Sequence, residues 1–232
     1  MNALRNKTSL GRLMKSLNDG ERARIKQGAQ RRLSINKLYP NGGVEKLLAY
    51  HLLSILEAAP AGVGRVADPT VWEETPKRWV KALKEMTSGY QVDVPALFKT
   101  FENTGYDGMV VLGPIPFWSL CEHHLLPFHG SAWVGYLPGT SRRIVGLSKL
   151  ARLVDAHARR LQVQERLTAD IASDLRTHLK PAGVGVRIES VHTCMCARGI
   201  KKEGVMRTQT LLGEFREGAV NGEFNSLINR GT

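Results

Sequence analysis

Val184-Gly185-Val186-Arg187-Ile188-Glu189 alternates apolar residues with small or charged ones, and it continues without a break through Ser190 and Val191 into His192-Thr193-Cys194. A strict period of two predicts a half-buried β-strand. Side chains two apart in an extended chain point the same way, so His192 and Cys194 are expected to face one site. Beyond the Ala197-Arg198-Gly199 turn, Val205 to Leu212 is predicted as the return strand. Before the quoted stretch lie two helical patterns. Ser148 is placed as the cap of a helix carrying Leu150, Leu153 and Val154, and Val163, Leu167, Ile171 and Leu175 recur at helical spacing up to Pro181. Further back, Met109-Val110-Val111-Leu112 and residues 129–137 are predicted strands, the second ended by Pro138-Gly139.

Two helices are expected upstream of these strands. Val44, Leu47, Leu48, His51, Leu52, Ile55 and Leu56 repeat at helical spacing, and Thr75-Pro76 suggests a cap and first-turn proline ahead of Trp79, Val80, Leu83 and Met86. The resulting order is α+β: an antiparallel sheet with paired helices on one face, preceded by N-terminal helices. The expected divisions are a basic N-terminal arm at 1–43, a helical region at 44–92, the site-bearing domain at 93–218 and a C-terminal tail at 219–232.

A chain of 232 residues is long enough to bury a sizeable core. No run approaches the roughly 18 apolar residues of a membrane span, so no membrane role is expected. Three cysteines do not make a disulfide framework, which suits a reducing, cytoplasmic compartment. The net charge of +12 is concentrated in the arm, where Arg5, Lys7, Arg12, Lys15, Arg22, Arg24, Lys26, Arg31, Arg32 and Lys37 face only Asp19 and Glu21. Such an arm fits a solvated tail, a contact with nucleic acid or a protein partner, or an organelle-targeting peptide whose apolar stripe is Leu10, Leu13, Met14 and Leu17.

All three cysteines and three of the seven histidines fall in two segments, Cys121-Glu122-His123-His124 and His192-Thr193-Cys194-Met195-Cys196. Thiolate and imidazole suit a borderline-soft cation such as Zn2+, and the C-x-x-H step places Cys121 and His124 on one turn. Cys194 supplies a third ligand. Cys196 either completes a closed four-ligand site or leaves the fourth position open. An open position lowers the pKa of bound water to roughly 7, and His123 and His192 beside the ligands suit proton transfer. Hydrolysis with proton shuttling is the reaction class this predicts. Arg78, Lys149, Arg152 and Arg198 lie near motif segments and helix starts, where an anion such as phosphate is favoured. Gln164-Glu165 opens the second helix with an amide and a carboxylate, and a carboxylate can accept from the adjacent N–H groups of a guanine edge.

In order and spacing, Ser119-Leu120-Cys121-Glu122-His123-His124, Gly146-Leu147-Ser148-Lys149-Leu150, Gln162-Val163-Gln164-Glu165-Arg166-Leu167-Thr168, and Val191-His192-Thr193-Cys194 with Ala197-Arg198-Gly199 resemble the GTP cyclohydrolase I family. Glu74-Thr75-Pro76-Lys77-Arg78 resembles its upstream helix motif, and the likeness covers about residues 44–215. The resemblance implies a tunnelling fold (T-fold), a homodecamer and active sites at subunit interfaces. It further implies Zn2+ on Cys121, His124 and Cys194, proton transfer by His123 and His192, and Ser148 near the ribose. Gln164 and Glu165 would recognise guanine, and Arg78, Lys149, Arg152 and Arg198 would bind the triphosphate. The implied reaction hydrolyses GTP at C8, releases formate and yields 7,8-dihydroneopterin triphosphate, at the head of a pterin, folate or deazaguanine pathway.

Overall fold

The computed structural model describes Asp19 and residues 43–58, 69–102, 105–140 and 143–229. Apart from Asp19 and Gly43, the basic arm and every role suggested for it lie outside the described residues. The chain divides into two units, residues 1–83 and 84–232.

In the first unit, α1 (Val44–Ala58) follows the expected helical stripe. Helix α2 (Pro69–Met86) differs from expectation. Thr75-Pro76 does not open it: the helix begins at Pro69 and continues through Pro76, forgoing only the backbone bond that a proline cannot donate. Arg78 is therefore an exposed mid-helix residue rather than a first-turn one.

The second unit is built on strands β1 (Thr100–Glu102), β2 (Val110–Cys121), β3 (Pro127–Leu137) and β4 (Arg143–Val145), then α3 (Leu147–Ala158), β5 (Leu161–Gln162) and α4 (Gln164–Leu179). After these come β6 (Gly183–His192), the short helical turn α5 (Thr193–Cys196), β7 (Val205–Gly213) and α6 (Gly218–Asn229). The main sheet has the order β5-β2-β3-β6-β7, antiparallel except where β5 runs parallel to β2; β1 and β4 form a separate pair. The α+β class, the antiparallel sheet and the helix pair thus follow the expectation from sequence.

Helices α3 and α4 bury Leu150, Leu153, Val154, Leu167, Ile171 and Leu175 against Phe117, Phe128, Val134, Tyr136, Val184, Val186 and Ile188 of the sheet. Removing that apolar surface from water, at roughly 25 cal/mol per Å2, is the main force holding the layers together. Strand β6 is the quoted alternating stretch, and it is more buried than half because it lies between β3 and β7.

The opposite face is not left bare, and the expected tail at 219–232 is for the most part a helix. Phe224 and Ile228 of α6 pack with Phe215 on Met109 and Trp133. Gly185 makes room for this layer, since a Cβ there would stand 2.3 Å from Phe215 Cδ1. The small residue in the alternation therefore marks a close approach. Among the described residues, no helix is long and apolar enough to cross a membrane.

Candidate active site

Sheet register gathers the two cysteine–histidine segments. Cys121 ends β2 beside Gln162 of β5, and in the next strand pair Phe128 of β3 stands opposite His192 at the end of β6. The β2–β3 connection is a tight turn in which Cys121 N donates to Leu126 O at 2.9 Å and Leu125 N donates to Cys121 O at 2.8 Å. Leu125 closes it in the left-handed region with φ 52. This turn places His124 Nδ1 3.8 Å from Cys121 Sγ and His123 Nδ1 3.9 Å from the same sulfur.

The second segment does not remain extended as expected. After His192 the chain coils into α5, anchored where Thr193 Oγ1 donates to Pro127 O at 2.5 Å. That anchor joins the start of α5 to the Cys121 hairpin. Ligand atoms of Cys121, His124 and Cys194 all lie within 4.8 Å of one another. Successive helical residues rotate by 100°, so Cys196 diverges from Cys194 by about 200° rather than sharing its side. Cys196 accordingly stands outside the group.

Two thiols and one imidazole, with no fourth ligand among the described residues, match a Cys2His metal site with an open position. Burial pushes the Cys194 thiol up, and the adjacent Cys121 thiol adds to the rise. A cation held by this group would reverse that preference. All three cysteines are free thiols.

His192 is fixed on two sides. Its ring stacks on Phe128, centroids 4.5 Å apart and planes 7° from parallel. Its Nε2 lies 3.0 Å from Gln164 Oε1, which also accepts from Ser190 Oγ at 2.5 Å. The Gln164 amide nitrogen faces Ile188 O, Met206 O and Thr208 Oγ1, each at 3.1 Å. Two of those partners are carbonyls, which only accept, so the amide orientation is determined and Oε1 must face His192. Nε2 then carries the hydrogen, and Nδ1 holds the open lone pair. Desolvation lowers the His192 pKa, against an opposing pull from Glu165, which favours the neutral ring.

Gln164 itself is 1% exposed, with both ends of its carboxamide engaged within the protein. Glu165, the next residue, is exposed. Ser190 and Thr193 were not singled out from the sequence. Period two provides a signal for the first, because Ser190 interrupts the apolar row of Val184, Val186 and Ile188 two residues before His192.

The basic residues separate. Arg198 Nη1 reaches 2.8 Å from His124 Nε2, next to the ligand group. Ser148 lies inside the first turn of α3 rather than capping it; extended Gly146 flanks the helix without a side-chain cap. Val145 N donates to Tyr136 Oη at 3.3 Å, and Tyr136 pairs with Val110 at the end of β2 remote from Cys121. Helix α3 then returns over 12 residues, about 18 Å, before β5 pairs beside Cys121. Ser148 and Lys149 therefore start at the far end of the sheet, with exposed Arg152 one turn along. Arg78 belongs to the first unit.

These features define an α+β protein whose sheet end carries a Cys–His–Cys group able to hold a metal beside a partly buried, oriented histidine. The GTP cyclohydrolase I family matches residues 53–229, and the chain belongs to that family, whose architecture is the T-fold. GTP cyclohydrolase 1 of Coxiella burnetii (strain Dugway 5J108-111) is 45% identical over 186 residues, covering 79% of this chain and 98% of that one. The protein of the same name from Streptomyces griseus subsp. griseus is 49% identical over 168 residues, 72% of this chain and 83% of its own. That of Synechococcus sp. (strain JA-3-3Ab) is 46% identical over 180 residues, 76% and 78% respectively.

Proposed function

We propose that this chain is a hydrolase that opens GTP at C8, releases formate and forms 7,8-dihydroneopterin triphosphate. The observation that carries the reading is the placement of Cys121, His124 and Cys194 within 4.8 Å of one another, with His192 held beside them by Gln164, in a chain of the GTP cyclohydrolase I family. The donor set fits Zn2+, held by Cys121, His124 and Cys194. When bound, such an ion supplies Lewis acidity toward water and substrate.

The chain's own residues do the rest. His192, with its Nδ1 lone pair open, accepts and returns a proton, and exposed His123 on the ligand turn serves as the second proton carrier. Glu165 accepts from the N1–H and amino group of guanine. Gln164 contributes by holding His192. Arg198, Lys149, Arg152 and Arg78 balance the triphosphate, and Ser148 meets the ribose.

Ser148 and Lys149 begin at the opposite end of the sheet from Cys121, which supports a site completed by a second copy of the chain and hence a homo-oligomer, a decamer by family likeness. Free thiols at all three cysteines support a cytoplasmic location. Incubating zinc-loaded protein with GTP and analysing the products by mass spectrometry should give formate and the dihydroneopterin triphosphate. Absence of both from folded, zinc-loaded protein overturns the reading.

A further inference from the structure

Arg166 stands at the third position of α4, two residues after Gln164, and its guanidinium spans three acceptors. Nε donates to Gln162 Oε1 at 3.0 Å, and Nη2 donates to Leu161 O at 2.9 Å and to Glu122 Oε2 at 2.5 Å. Glu122 lies between the ligand Cys121 and His123, and its Oε1 is 3.9 Å from His123 Nε2. Gln162 is a firm base for this fork: it is 2% exposed, and its Nε2 donates to His157 O at 3.1 Å. The backbone adds a parallel tie, Glu122 N to Gln162 O at 3.1 Å.

One turn of α4 thus grips both halves of the site. Gln164 holds His192 from one side, while Arg166 holds the turn that carries Cys121, His123 and His124. The ion pair is partly open to water, with side chains 44% and 33% exposed, so it adds little to global stability. Its consequence is geometric. The Cys121–Leu126 turn is otherwise exposed at His123, His124 and Leu125, and Arg166 is the side chain that ties its Glu122 to the helix.

We propose that Arg166, acting through Glu122, is a positioning residue that sets the Cys121–His124 turn in its metal-binding geometry relative to α4. The proposal rests on the reading of Cys121, His124 and Cys194 as metal ligands. A lysine cannot reproduce the role in full, because an ammonium is a point charge without the planar fork.

The test uses full-length protein and Co2+ as the probe, followed by its visible absorption and by competition with a chelator. Arg166→Gln and Glu122→Gln should each weaken Co2+ binding by roughly 10-fold or more and alter the absorption bands, the size expected when a residue supporting a metal ligand is lost. The double variant should be no weaker than either single one, and Arg166→Lys should fall between wild type and Arg166→Gln. The thermal midpoint of the metal-free protein should not move. Unchanged Co2+ affinity and spectrum in the two single variants, or effects that simply add in the double variant, overturn the clamp. Should Arg166→Gln fail to fold, Glu122→Gln, which changes only a turn residue, decides alone. Wild-type protein that binds no Co2+ refutes the metal reading itself, an outcome distinct from variants that bind as tightly as wild type.

Discussion

The carboxamide oxygen of Gln164 stands 3.0 Å from Nε2 of His192, and the orientation of that carboxamide is dictated by Ile188 O and Met206 O on its other side. A main-chain feature of two neighbouring strands therefore selects the tautomer of His192, the histidine proposed to transfer protons. Gln164→Leu leaves buried Ser190 Oγ and partly buried His192 Nε2 without their acceptor, the buried group costing about 1–3 kcal/mol. The expected result is a fall in kcat larger than the rise in KM for GTP. Steady-state kinetics alongside urea unfolding would check it; a variant that changes only KM argues for direct base contact instead.

Arg198 contacts the imidazole that the proposed metal site would use. His124 presents Nδ1 to Cys121 and Nε2 to Arg198 Nη1 at 2.8 Å. If His124 held a metal through Nδ1, its Nε2 would carry the hydrogen and could not accept from Arg198, which would then be available for the proposed triphosphate contact. Arg198→Ala should weaken GTP binding by about 1.5–3 kcal/mol, the range for a hydrogen bond to a charged group, without weakening metal binding. Calorimetry with GTP and chelator competition with Zn2+ separate the two effects.

Metal removal should act on both activity and stability. A ligand that binds only the folded chain stabilises it by RT ln(1 + [L]/Kd), about 4 kcal/mol at 1,000 times Kd. Chelation should therefore lower Tm and abolish the fluorescent pterin formed from GTP after oxidation, and added Zn2+ should restore both. Calorimetric scans with and without chelator supply the measurement.

Acid should weaken the helix pair through His157. This ring is 3% exposed, and its Nε2 lies 2.8 Å from Asp174 Oδ2. Burial depresses its pKa below the ordinary value of 6.5, outweighing the opposite pull of Asp174. The unfolded chain then binds the proton more readily than the folded one, so stability is intact above the unfolded pKa and falls as pH drops through it. The urea midpoint should decrease from pH 7 to pH 5, and His157→Gln should flatten that slope.

Residues 218–229 should behave as part of the core. Phe224 is fully buried against Phe215, ring centroids 5.3 Å apart. Phe224→Ala is expected to cost about 3–5 kcal/mol, the usual range for a large aromatic in a core. A dispensable tail would give no change in the denaturation midpoint.

The sequence by itself determined the strand-helix-helix-strand order, because alternation at Val184–Glu189 and helical spacing at Leu167–Leu175 are local consequences of chain periodicity. It also determined the Cys121–His124 pair, since three residues of separation place both on one turn. Tertiary structure decided what lay beyond single-segment geometry. Cys194 joins the group because Thr193 is anchored to Pro127 and the chain coils there, which also turns Cys196 away. Gln164 became a support for His192 because its partners Ile188, Met206 and Thr208 come from two other strands. The last helix found its place only because Gly185 and Met109, distant in sequence, leave and line a recess for its phenylalanine. Periodicity records which side of an element is apolar; which partner covers that side is settled by packing between segments far apart in the chain.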